Sequence, residues 1–278
     1  KKLFLKFISN QNKIFFDDVD IKTLIYVFTK YSHISTKFLN IKIALLADWA
    51  CWAVLDNEKF EWALKIEPVD PNFLIKPLSK ENHFVFLSSL RKDYFLQKYL
   101  KTANVEINQK VNFKSDFVEK DILIYVPTRQ LLPNNPLFIQ STFDKCNKIF
   151  LLSQGITIIL SNEINLKNDL ATKLASIYGR KILLEKIPNN KNNKLIICAG
   201  FDWWINNLPL INSPDQIIIP LLPIPDMSEP VNQITASFNK KLSQDWFRDF
   251  MIPDTFEKLD KSVAPLRINS GKLFFLDG

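Results

Sequence analysis

The chain has 278 residues, 47% of them hydrophobic, enough for one large domain or two small ones with a proper core. Lys and Arg outnumber Asp and Glu by 36 to 29, a mild basic excess that permits nucleic-acid contact without demanding it. Three isolated cysteines and two histidines, with no Cys-x-x-Cys pair, argue against a structural zinc or a local iron–sulfur cluster.

Scattered single thiols fit a reducing cytoplasm. No stretch approaches the roughly 20 apolar residues of a membrane span. The chain opens Lys1-Lys2-Leu3, with neither an initiator Met nor a signal-peptide core, and reads as a piece of a longer protein.

In chain order, residues 13–20 predict a short strand ending in acids. Asp17 and Asp18 are then either weak candidates for a magnesium-holding acidic box or an acidic helix cap after a strand. The cap is preferred, because short acid clusters are common. Helical spacing follows over 21–31 and 35–55, with Ser35 as a cap. Trp49, Trp52 and Trp62 read as core. Strands are predicted at 60–67 and 83–88, a helix start at Asp70-Pro71, and a helix at 91–101. Residues 102–136 are polar, then extended, then proline-rich, and read as a connection. From there the rhythm alternates. Helices are predicted at 137–152, 165–178 and 230–248, and strands at 156–160, 181–185, 194–199, 216–221 and 272–276. Short apolar strands alternating with helices predict an α/β fold, a parallel sheet with helices on both faces.

Residues 216–231 are the most informative stretch. An apolar run, Ile217 to Leu222, passes into Pro223-Ile224-Pro225-Asp226-Met227-Ser228-Glu229-Pro230. Such a run bounded by prolines is a buried strand, and its carboxyl end is where ligands gather in open α/β sheets. The segment resembles the Leu-Pro-Phe-x-x-Pro-Ser-Asp-Pro signature of XPD/DinG-like superfamily 2 DNA helicases. Further segments agree in order. Ser88 and Ser89 end a strand similar to the family's Thr-Ser-Ala-Thr-Leu. Ser161 and Asn162 end one similar to Leu-Phe-Thr-Ser-Tyr. Gly200, Asp202, Trp203 and Trp204 lie in a segment similar to Gly-x-x-Ser-Phe-Trp-Glu-Gly. The resemblance covers about residues 60–277 and implies a RecA-like architecture. Residues 1–101 would be the end of a first RecA-like domain with a helical insertion, 102–136 the connection, and 137–278 the second RecA-like domain. It also implies ATP and magnesium as cofactors of the parent chain, and single-stranded DNA as partner. Ser88, Ser89, Ser161, Asn162, Trp203 and Trp204 become candidate strand contacts. One of the two tryptophans is expected in the core and the other on a base.

The departures are as informative. The family's arginine motif aims two guanidinium groups at nucleotide phosphates, a role Lys or neutral groups fill poorly. Here Lys261, Ser262 and Val263 open the aligned stretch. Pro265 and Ile268 stand at the arginine positions, and Arg267 is one residue out of register. Lys261, Ser262, Arg267, Gly200 and Asp202 are therefore degraded nucleotide-coupling positions. No glycines have the spacing of a phosphate-wrapping P-loop. No Ser/His/Asp set or paired catalytic carboxylates stand out. The sequence thus points to a helicase fragment that hydrolyses ATP weakly or not at all. The alternative is a non-enzymatic nucleic-acid-binding or protein-interaction module on the same scaffold. On either reading Ser161, Trp204 and Arg267 are expected around one crevice.

Overall fold

Asp17 fixes where the first helix begins. In the computed structural model, which describes residues 7, 13–47, 49–56, 61–69, 85, 109, 111, 122–189, 194–241 and 243–277, its carboxylate accepts from the backbone N–H groups of Val19 (3.0 Å) and Asp20 (2.9 Å). Asp20 returns the bond to Asp17 N–H at 3.1 Å, closing a capping box. Helix α1 runs Asp18–Tyr31 and α2 runs Thr36–Leu46, the latter capped by Ser35. Strand β1 (Lys13–Phe15) precedes them.

The predicted helix 35–55 ends early, and its last residues, from Ala50, belong to strand β2 (Ala50–Asp56). The reason is period. Cys51 packs with Leu24 and Leu45 beneath α1 and α2. Its neighbours Ala50 and Trp52 face the other way, with Val69, Val231, Ile234 and Phe238. Residues that alternate between two apolar layers make a strand. Strand β3 (Glu61–Glu67) pairs antiparallel with β2, which pairs with β1, giving the order β1-β2-β3. Two compact units result. Pro225–Met251 clusters with the antiparallel one, and Gln109–Ile224 with Ile252–Gly278 forms the other.

The second unit is built on a six-stranded, all-parallel sheet. Its strands are β4 (Leu123–Tyr125), β5 (Ile156–Leu160), β6 (Ile182–Leu184), β7 (Leu195–Ala199), β8 (Gln216–Ile219) and β9 (Lys272–Phe275). The order is β4-β9-β8-β5-β7-β6. Alternation again sets the layers. Ile158, Leu160, Ile197, Ile217 and Ile219 pack on α5 (Phe201–Asn207), α7 (Ile252–Val263) and α8 (Leu266–Asn269) through Phe201, Trp204, Val263 and Leu266. Ile159, Ile196, Cys198 and Ile218 pack on α3 (Phe138–Leu151) and α4 (Ile164–Tyr178) through Phe150, Leu166, Leu170 and Leu174. Each such fully buried side chain contributes about 1.5–3 kcal/mol of burial free energy. Both faces are thus covered, which is why these strands read as continuous apolar runs. Two polar groups in this layer are satisfied. Gln216 Nε2 donates to Ile149 O, at the end of α3, and to Thr157 Oγ1, both at 3.0 Å.

The structure differs from the sequence reading at several points. Part of the expected connection, Leu123–Tyr125, is the sheet's edge strand beside β9. The helix predicted over 230–248 is α6 (Pro230–Lys241). Ser243 follows with φ +56°, a left-handed residue that stops a helix, and a π-helical turn covers Phe247–Met251. Helices α5, α7 and α8 were not predicted. The helix start predicted at Asp70-Pro71, the strand predicted at 83–88 (Val85 aside) and the helix predicted at 91–101 lie outside the described residues.

Candidate functional site

Because all six strands run the same way, the loops after β5, β6, β7, β8 and β9 leave along one edge. Strands β5 and β8 are neighbours, yet their next strands, β6 and β9, lie on opposite sides of them. That reversal marks the place where open α/β sheets bind ligands.

Three of these loops are tied together by side chains. Asn162, after β5, accepts from Phe201 N–H at 3.1 Å. Glu185, after β6, accepts from Gly200 N–H at 3.0 Å and from the Lys167 ammonium of α4. Burial works to raise the Glu185 pKa, but the Lys167 bond, the Gly200 bond and the Lys167 charge outweigh it and hold the carboxyl below the usual range. Glu163 caps α4, accepting from Asn165 and Leu166 N–H.

Ser161 is buried, and its hydroxyl accepts from Glu163 N–H at 3.2 Å. In this structure the serine closes a turn. Gly200 and Asn162 sit in the loop cluster, and Asp202 is exposed in the first turn of α5. Trp204 has no exposed surface, and its Nε1–H donates to Ser262 O at 2.9 Å, deep in the core. Trp204 is therefore the core member of the tryptophan pair, its ring having no free face. Trp203 is partly buried and packs against the same core.

The arginine-motif positions lie elsewhere. Lys261 pairs with Glu257 at 2.5 Å and Arg267 with Asp260 at 3.2 Å. Ser262 is fully buried, and its hydroxyl has no hydrogen-bond partner among the described residues. Arg267 lies on α8, just before β9 begins, whereas Ser161 follows the end of β5. In a parallel sheet those are opposite edges. The expected single crevice holding Ser161, Trp204 and Arg267 is not formed, because one flanks the carboxyl edge, one is core and one flanks the amino edge.

Ser88 and Ser89 lie outside the described residues. Asp17 and Asp18 belong to the start of α1, where Asp17 serves as cap. No group of three metal-ligating side chains occurs among the described residues. No described helix is long and apolar enough to cross a membrane. A cavity of about 370 Å³ between α3 and the preceding loop is lined by Leu131, Leu137, Gln140 and Lys145, none of them a sequence-assigned residue. Sequence reasoning missed Lys167 and Glu185. They lie 18 positions apart in no motif, and the one hint was an acid directly after the apolar run Ile182-Leu183-Leu184.

A parallel sheet covered on both faces, with its linked loops along the carboxyl edge, is the α/β frame that a RecA-like unit requires. Solved structures agree. The chain is similar to a structure described as an XPD helicase, at 11% identity and TM-score 0.58, over 99% of this chain and 56% of that one. It is similar to Xpd4 of S. tokodaii at 13% identity and TM-score 0.51, over 94% and 54%. A structure described as XPD apo gives 10% identity and TM-score 0.59, over 99% and 63%. The chain therefore has an XPD-helicase-like fold and spans between 54% and 63% of the length of those structures' chains. No protein-family model and no curated protein matches it.

Proposed function

We propose that this chain is the carboxyl-terminal part of an XPD/DinG-like DNA helicase, that it binds single-stranded DNA along the carboxyl edge of its parallel sheet, and that it does not itself turn over ATP. The observation that carries this reading is the likeness to XPD helicases over nearly the whole chain. The edge loops supply backbone and polar groups of the kind that contact phosphates. A parent helicase would use ATP and magnesium, in the cytoplasm. The residues at the arginine-motif positions do not fit that nucleotide. Pro265 and Ile268 carry no charge, and the two nearby cations are engaged by Glu257 and Asp260.

Those same pairs favour a second reading, a non-enzymatic nucleic-acid-binding or protein-interaction module on an old motor scaffold. A salt titration separates the cases. A labelled thymidine oligonucleotide of about 16 nucleotides should bind at low salt and weaken linearly in log K against log salt. Magnesium-ATP should be hydrolysed no faster than in buffer. Turnover by the chain would refute the inactive assignment. No oligonucleotide binding at low salt would leave only the protein-interaction module.

A further inference from the structure

Glu185 sits where a residue with a Cβ is strained. Its φ is +45°, in the left-handed region, although its own N–H still reaches Cys198 O at 3.0 Å and extends the β6–β7 ladder. That backbone turn carries the carboxylate over the neighbouring loop, onto Gly200 N–H and the Lys167 ammonium. The Lys167 side chain is only 12% exposed, against 35% for Glu185, so the paired lysine offers little surface to solvent. A Cβ placed on Gly200 would meet Glu185 Oε1 at 3.4 Å and Lys167 Nζ at 4.0 Å. The pair therefore fills the space over the Gly200 turn.

A carboxylate that grips an ammonium and a backbone amide presents what a phosphodiester would present, an anionic oxygen to charge-assisted donors. We infer that Glu185 is an internal competitor of nucleic-acid phosphate, masking Lys167 within the loop cluster that also holds Asn162 and Gly200. The inference rests on the proposed binding of single strands at this edge, and it goes beyond that proposal by assigning the edge a built-in brake. A purely structural clasp would have the opposite signature, since removing it would loosen the loops and weaken binding.

The test is the salt dependence of binding to the thymidine oligonucleotide, with the full chain and three variants. Glu185→Gln keeps an acceptor for Gly200 N–H and removes the charge. Glu185→Gly removes both and relaxes the backbone, so it serves even where the glutamine variant folds poorly. Each should bind more tightly at low salt, and its log K against log salt should steepen by about 0.7, one more phosphate on a single strand. Glu185→Gln combined with Lys167→Gln should return the slope to that of the unsubstituted chain. An unchanged slope or weaker binding in both Glu185 variants, with the unsubstituted chain binding normally, overturns the brake alone. No binding by any of these proteins overturns the brake together with the proposed strand-binding function.

Discussion

Replacing Trp204 by Phe separates a core role from a base-stacking one. The indole N–H donates to Ser262 O in the last turn of α7, where helix carbonyls have no partner within the helix. Phe removes that donor and strands a buried carbonyl, at about 1–3 kcal/mol. The smaller ring also leaves a void of a few tens of Å³, which at about 24 cal/mol per Å³ adds about 1 kcal/mol. The sum is about 2–4 kcal/mol, large beside a domain's total stability of about 5–15 kcal/mol. Equilibrium urea unfolding followed by circular dichroism should show the unfolding free energy falling by that amount, read as a lower midpoint at unchanged m. Oligonucleotide affinity, measured well below the new midpoint, should stay within twofold. The reasoning is refuted by the reverse pattern, in which stability holds and affinity drops at least tenfold, because that is how a stacking residue behaves.

Two further outcomes follow from local geometry. In Gly271→Ala the new Cβ would stand 2.5 Å from Leu266 Cδ2 and 3.1 Å from the Asp215 carbonyl oxygen, which already accepts from Lys272 N–H. Such overpacking should cost about 1–3 kcal/mol, read as a lower melting temperature, and an unchanged one would show that the turn before β9 yields freely. Asp226 is held below its ordinary pKa by hydrogen bonds from the Ser228 hydroxyl and N–H and by the nearby Lys13 charge. With Glu185, that makes two carboxylates whose folded pKa is depressed. Their contribution is present above the unfolded carboxylate values of about 4 and is lost as pH falls through the folded ones. Melting temperature should therefore drop as pH is lowered from about 5 to about 3, and less steeply in Asp226→Asn; equal slopes would count against this assignment.

Where one periodicity dominated, the sequence was enough. Residues 156–160 form the predicted strand with the predicted limits, and 164–178 and 138–151 fall within a residue of theirs. Residues sealed on both faces leave a plain apolar signature. Residues 50–56 misled because Trp49 and Trp52 also suit a helical turn, and the layer that Ala50 and Trp52 face, Val231, Ile234 and Phe238, lies far along the chain. The short helix α5 carries too few turns to show a period. The cap at Asp17 was legible because capping is local chemistry, fixed within four residues. The ion pair at the sheet's carboxyl edge was not, because only the crossover of β6 past β7 brings Glu185 to Lys167 and Gly200. Arg267 was legible as a residue out of register, while its placement beside Asp260 at the far edge depended on the turn at Ala264 and Pro265.

The polypeptide leaves the parallel sheet after β8, contributes α6 to the antiparallel unit, and comes back as α7. A single cut therefore cannot release a self-sufficient half. Expressed alone, the carboxyl-terminal stretch would carry Val231, Ile234 and Phe238 without Ala50 and Trp52 to cover them, and the amino-terminal stretch would lack the matching lid. Interlaced in this way, the two units have to be truncated or transplanted together.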